Sequence, residues 1–289
     1  MLLKIGIGLP ATIPGTQVTR ILDWAKKADA GHFSSLSILD RLVFPNYESL
    51  TTLAAVAGVT QRIRLITTVL LAPLRNPALL AKQAASLDAL SGGRLTLGLG
   101  IGAREDDYLA ASVPFKKRGK LFDDELETLH KIWSGQPLSE KIGPIGPKPI
   151  QPGGPEILIG GYSPAAIQRV ARWGNGFIAG GRDPKGTQQF FRLAEETWKN
   201  AGRPGRPRLV GCFYYALGPD AKERASAYLR NYYVMLGPMV DTMIHNLPLT
   251  VDEIKARIQA YEDIGADEVI IWPCTSDLEQ VDQLAEVII

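Results

Sequence analysis

Short runs of β-branched and apolar residues alternate with amphipathic stretches along the whole chain, and this alternation limits the possible folds more than any other feature. Strands are read at Ile5 to Leu9, Leu36 to Asp40, Ile63 to Val69, Leu95 to Gly100, Glu156 to Gly160, Gly176 to Gly180, Arg208 to Ala216 and Glu268 to Trp272. Between them lie helix-like stretches at Val18 to Ala30, Ser49 to Val59, Pro77 to Leu90, Gly119 to Trp133, Ala165 to Trp173, Lys185 to Ala201, Asp220 to Leu229 and Val251 to Ile264. A last one, Leu278 to Ile288, closes the chain. Strands separated by crossover helices pair in parallel, and eight such units in about 250 residues are the size of a closed (β/α)8 barrel. The expected architecture is therefore α/β, a TIM barrel forming a single domain over residues 1–289.

Local signals agree with these bounds. Asp220 is placed to cap "AKERASAYLR", Thr250 starts "VDEIKARIQAYEDIG" with acids in its first turn, and Gly265 follows as a C-terminal glycine should. Two connections, Ile101 to Pro155 and Leu217 to Asp267, are too long for bare crossovers. They are read as insertions after strands 4 and 7, and the proline and glycine of "GPIGPKPIQPGGPE" forbid regular structure at the end of the first.

Composition narrows the partners. The 289 residues are 45% hydrophobic and 21% charged, and 32 basic against 30 acidic residues leave a net charge of +2. That balance is too small to make nucleic acid or an anionic membrane the main partner, so a small-molecule ligand is expected. Cys212 and Cys274 lie in or beside apolar runs with no metal-site or redox spacing and are read as buried thiols. "MLLKIGIGLP" lacks the charge order of a signal peptide, and no apolar run reaches the ~18 residues of a membrane span, so a cytoplasmic protein is expected.

In a parallel barrel the active site lies at the carboxyl ends of the strands. Those ends carry Pro10, Asp40 and Arg41, Thr68 and Val69, Gly100 to Arg104, Gly160 to Ser163, Gly180 to Arg182, Tyr214 and Tyr215, and Trp272 with Pro273. The lining is glycine-rich, aromatic and poor in acids, which suits a flat ligand with a phosphate better than hydrolysis. In "ILIGGYSPAAIQRVARWGNGFIAGG" a strand turns through Gly160 and Gly161 into a helix with Ser163 at its N-cap and Pro164 at its first position, and the next strand ends in Gly180 and Gly181. A helix N-terminus beside glycines is a phosphate cradle or an ordinary capped helix, and the barrel's use of its later loops favours the cradle.

The stretch "SGGRLTLGLGIGAREDDY" fits G-x-G-x-x-A at Gly98, Gly100 and Ala103. A dinucleotide fold would require an apolar helix at once and an acid about 20 residues on, neither of which follows. These glycines are read instead as keeping the strand end clear for a flat ring. Asp40 and Arg41 form a strand-end pair of opposite charge and are the catalytic candidates, with a surface ion pair as the alternative. The acids of "REDDY" read as solvated. His32, His130 and His245 have no zinc-helix spacing, no metal site is expected, and no G-x-S-x-G elbow occurs.

The chain resembles the luciferase-like monooxygenase family, the barrels that use FMN or the deazaflavin coenzyme F420. The resemblance rests on "KIGIGLP", "LSILDRLVFPNYESL", "RIRLITTVLLAPLRNPALLAKQAASLDALSGGRLTLGLGIG", "LFDDELETLHKIWSG" and the "ILIGGYSPAA" segment. It implies a flavin ring across the barrel mouth, backed by a non-prolyl cis peptide that falls at Thr68-Val69. Asp40 then lies where deazaflavin members bond the cofactor. Gly98, Gly100 and Gly102 lie beside the ring, and Gly160, Gly161, Tyr162, Ser163, Gly180 and Gly181 near the phosphate. Arg41 and Ala103 stand where the family's sugar-phosphate dehydrogenases have histidine and glutamate, so that activity is not implied. The leading expectation is a homodimeric monooxygenase in which FMN reduced by a separate flavin reductase reacts with oxygen to oxidise a small organic substrate. The alternative is F420-dependent hydride transfer, with Arg104, Lys116, Lys117, Arg118 and Lys120 as candidates to receive that coenzyme's acidic tail. A non-catalytic flavin-binding protein and a phosphosugar isomerase are the competitors from other classes.

Overall fold

The structure, a computed structural model, describes residues 2–288. Met1 and Ile289, the ends of the expected domain, lie outside the described residues. In chain order the elements are β1 (Lys4–Gly8), α1 (Val18–Ala30), β2 (Ser35–Ile38), α2 (Ser49–Val59), β3 (Arg64–Leu71), α3 (Pro77–Leu90), β4 (Leu95–Gly100), α4 (Glu105–Ala110), α5 (Arg118–Trp133) and β5 (Glu156–Gly160). They continue through α6 (Pro164–Trp173), β6 (Gly176–Ala179), α7 (Pro184–Asn200), β7 (Arg208–Tyr215), α8 (Ala221–Tyr232), α9 (Met239–His245), α10 (Val251–Asp263), β8 (Glu268–Pro273) and α11 (Glu279–Ile288). The strands close into a parallel barrel in sequence order. Closure runs through β1 and β8, with Lys4 opposite Glu268 and Ile7 opposite Ile271. Helices cover the sheet outside and side chains fill it inside, so β2, β4, β6 and β8 are buried along their full length.

The sequence signals act largely as expected. Ser163 accepts from the Ala166 N–H at 3.2 Å with Pro164 at the first position of α6, and Thr250 and Glu253 form a capping box at α10. Asp220 does not cap α8. Its backbone is left-handed at φ 55°, and its carboxylate accepts nothing from the first turn. The two long connections also hold α4 before α5 and α9 between α8 and α10, short helices that the sequence pattern does not announce. Among the described residues no helix is long and apolar enough to cross a membrane. Cys212 and Cys274 are buried free thiols, and burial pushes both well above the ordinary thiol range.

The amino ends of the strands are closed by a polar plug. Glu268, at the start of β8 and 1% exposed, accepts from Ser34 Oγ at 2.5 Å and Ser35 Oγ at 2.6 Å. Arg208, at the start of β7, bridges Glu268 and Glu156, and Thr96 Oγ1 donates to Glu156 at 2.8 Å. Burial works against the Arg208 charge, but the two carboxylates outweigh it and raise the guanidinium above its usual value.

Candidate active site

At the carboxyl end, β3 departs from regular pairing. Thr67 lies opposite Leu97 and Leu70 opposite Leu99, so the three steps from Thr67 to Leu70 face only two steps of β4. The extra length bulges at Thr68 and Val69, and the peptide bond between them is cis. The Val69 side chain fills a hollow left by glycines on the neighbouring strands. A Cβ at Gly100 would stand 2.7 Å from Val69 Cγ2, one at Gly160 would stand 2.7 Å from Val69 Cγ1, and one at Gly98 would stand 2.0 Å from the Thr67 carbonyl oxygen.

These distances correct the expected role of the glycines in the "GLGIG" stretch. Gly98 and Gly100 are buried and make room for the bulge, so Val69 lies where a ring was expected to meet them. Gly102, at φ +65°, packs beside Leu71, with only 2.9 Å from a Cβ to Leu71 Cδ2, and also stays off the cavity wall.

The mouth cavity, about 250 Å³, brings together Thr68, Val69, Gly160, Gly161, Tyr162, Gly180 and Gly181 from the expected set. Leu39, Ile178, Cys212, Phe213, Tyr214, Tyr233 and Trp272 complete the wall. No carboxylate, imidazole or amine belongs to it among the described residues. A second chamber of about 180 Å³ shares Gly181, Cys212, Phe213 and Tyr214 and extends to Met243 and Leu247, with Arg182, Asp183 and Arg257 also in its lining.

One side of the cavity is open backbone. Gly161 sits at φ +126°, and Gly181, at φ +73°, has nothing within 4 Å of the place a Cβ would take. Both therefore hold conformations that favour glycine and leave main-chain groups accessible beside the N-terminus of α6. Ser163 is exposed at that terminus, outside the cavity wall. Tyr162 ties the two glycine turns together: its hydroxyl donates to the Gly180 carbonyl, and its ring lies beneath the Arg182 guanidinium, 4.5 Å away. Burial raises the Tyr162 hydroxyl well above its usual range, so it stays neutral.

Asp40 and Arg41 lie elsewhere and do not pair with each other. Both border a separate recess with Glu48 and Arg75. Asp40 Oδ2 accepts from the Leu71 N–H and from Arg75 Nη1, both at 2.8 Å. Asp40 Oδ1 accepts from Ser49 Oγ at 2.8 Å and Arg75 Nη2 at 3.0 Å. Two bonds on each oxygen use the acceptor capacity of the carboxylate, so it braces the end of β3 and has none left for a ring. Burial opposes the Arg75 charge, but Asp40 and Glu48 outweigh it and raise its pKa. Arg41 Nε donates to Asp107 at 2.7 Å, and Asp107 also accepts from the Leu42 and Val43 N–H groups at 3.0 and 2.6 Å. Asp107 is thus a buried clasp between the β2 loop and α4, not a solvated acid. An Asp40→Asn variant is expected to lose about 1–3 kcal/mol of stability, because an amide cannot accept all four bonds, while cofactor affinity changes less than about threefold. Urea unfolding with a flavin titration checks both, and a tenfold loss of affinity in a stable variant would restore Asp40 to the site.

Sequence reasoning missed Arg75, Asp107 and Tyr233. A buried arginine such as Arg41 needs a carboxylate, which was the available signal for Asp107. Tyr233 had none, since only the folding of the second insertion brings it to the mouth.

The arrangement defines a parallel (β/α)8 barrel with an apolar, aromatic ligand cavity at its carboxyl end and an open-backbone turn beside it. The chain matches the family model described as luciferase-like monooxygenase over residues 3–263. It belongs to that family, whose members are oxidoreductases. An uncharacterized protein of Mycobacterium tuberculosis is 32% identical over 220 residues, covering 65% of this chain and 74% of that protein. The FMNH(2)-dependent dimethylsulfone monooxygenase of Pseudomonas putida is 25% identical over 202 residues, covering 66% of this chain and 54% of that protein. Among solved structures, an F420-dependent secondary alcohol dehydrogenase bound to an F420–acetone adduct superposes with a TM-score of 0.84 at 18% identity, covering 99% of this chain and 98% of that one. That likeness shows the fold.

Proposed function

We propose that the protein is an FMN-dependent monooxygenase, working as a homodimer with reduced FMN from a separate flavin reductase and oxidising a small organic substrate with oxygen. The observation that carries this reading is the pairing of an uncharged aromatic cavity with open glycine backbone at the N-terminus of α6. A flat ring is accommodated against Val69, and a single phosphate suits the N–H groups and dipole at Ser163 with the glycines at positions 161, 180 and 181. The basic residues considered for a longer acidic tail are partly engaged: Arg104 bonds Asp106 at 2.8 Å and Lys120 bonds Asp124 at 2.9 Å. This favours the short phosphate of FMN over F420.

Bound FMN would supply the redox chemistry. The chain's part is positional: Val69 and Gly160 shape one wall, Tyr162 fixes the two glycine turns, and the apolar lining keeps water from the reacting atoms. Titration of the protein with FMN, riboflavin and F420, followed by ring absorbance, tests the reading. Saturable FMN binding is expected, with riboflavin, which lacks the phosphate, at least about tenfold weaker because it forgoes charge-assisted hydrogen bonds. Equal binding of riboflavin would remove the phosphate cradle. Binding of F420 alone would move the reading to hydride transfer, and binding of none would overturn it.

A further inference from the structure

Four residues that line the mouth cavity carry hydroxyl groups, and their protons can be accounted for one by one. Thr68 Oγ1 donates to the Ile38 carbonyl at 3.2 Å, and the Tyr162 hydroxyl donates to Gly180. The remaining two belong to Tyr214 at the end of β7 and Tyr233 in the insertion after it, and their oxygens lie 2.9 Å apart. Two phenols joined by one hydrogen bond spend one proton between them and keep the other. Burial pushes Tyr233 up to about 12 and Tyr214 well above its ordinary value, so both stay protonated at neutral pH. The Tyr214 ring is held edge-on by Tyr233 and Tyr228 and tilted against Trp272. Tyr228 is itself fixed by a 2.7 Å bond to Thr12 Oγ1. The pair is therefore a rigid donor set in an otherwise apolar wall.

We infer that the Tyr214–Tyr233 hydroxyl pair recognises the substrate, donating one hydrogen bond to the oxygen of a neutral, otherwise apolar carbonyl compound. The inference rests on the proposed flavin reading, because the substrate must share this cavity with the ring. Carboxylates and sulfonates are disfavoured at the pair, since the nearby cations Arg182 and Arg257 line the adjoining chamber and none belongs to this wall to repay their desolvation. A hydrocarbon of the same shape would leave the spare hydroxyl unpaired, and so would bind less well than a ketone.

The test uses the full-length protein, with and without bound FMN, and follows tryptophan fluorescence, to which Trp272 in the cavity wall contributes. Cyclohexanone, methylcyclohexane and cyclohexanecarboxylate are titrated into the wild type, Tyr233→Phe and Tyr214→Phe. Cyclohexanone is expected to bind best and to weaken about tenfold in the variant that removes the hydroxyl carrying the spare proton, the loss of one buried hydrogen bond, while methylcyclohexane is unchanged. Thermal melting and FMN affinity close to wild type identify a variant as folded with its cofactor site intact. Equal cyclohexanone affinity in the wild type and both folded variants, no cyclohexanone binding, or preference for the carboxylate would overturn the inference. If FMN fails to bind but cyclohexanone binding depends on the hydroxyl pair, the flavin reading falls and this one stands.

Discussion

Replacing Arg208 by alanine is expected to cost about 3–5 kcal/mol of stability, a large fraction of the roughly 5–15 kcal/mol of an ordinary chain. The change leaves Glu268, 1% exposed, with two serine hydroxyls and no cation, and takes from Glu156 its partner on β7. A buried carboxylate without its counter-charge bears most of its desolvation cost, which is why removing one partner is worse than removing both. The double variant Arg208→Met with Glu268→Gln is therefore expected to recover more than half of the loss. Urea unfolding of the two proteins measures both quantities. A loss below about 1 kcal/mol in the single variant, in the range of an exposed ion pair, would show that the plug is solvated. Because the plug closes the end opposite the cavity, any flavin affinity measured where the variant remains folded should match the wild type.

The barrel was legible because its signal is periodic and repeated. Each expected strand overlaps an observed one, with ends differing by up to two residues, and the helices differ similarly wherever apolar spacing and a cap agree, as at Asn76 for α3 and Thr250 for α10. The shortest elements of the insertions were not legible. α4 has only six residues and α9 seven, too short for periodicity to mark, and their positions depend on contacts such as Arg41 with Asp107. At the strand ends, the structure brings some of the expected residues together and gives others different partners. Thr68, Val69, Gly160 and Gly161 come together as expected, whereas Asp40 turns to Arg75 because a residue 35 positions away supplies the cation. The glycines of β4 carry the same lesson, since a glycine needed by a ligand and one needed by a neighbouring strand look alike in sequence.

That ambiguity makes Gly98 the most informative position near the mouth. A Cβ there would stand 2.0 Å from the Thr67 carbonyl oxygen, a backbone atom of the adjoining strand. Thr67 Oγ1 also donates to the Gly98 carbonyl at 2.8 Å, so the two strands are held together where the methyl would enter. The β3 backbone cannot retreat without moving Thr68 and Val69, which form part of the cavity wall. Gly98→Ala is therefore expected to lose about 3 kcal/mol, at the upper end for overpacking a tight core, and to weaken flavin binding by at least about tenfold. Gly100→Ala should cost less, because it meets Val69 Cγ2, a side-chain methyl that can shift by rotation, at 2.7 Å. Gly58→Ala is the matched control: its Cβ would project from α2 into open space, and the change should be neutral or stabilise by up to about 1 kcal/mol. Unfolding midpoints of the three variants give the order directly. If Gly98→Ala is no worse than Gly100→Ala, the close approach of β3 and β4 does not limit the site, and the glycine at 98 is there for another reason.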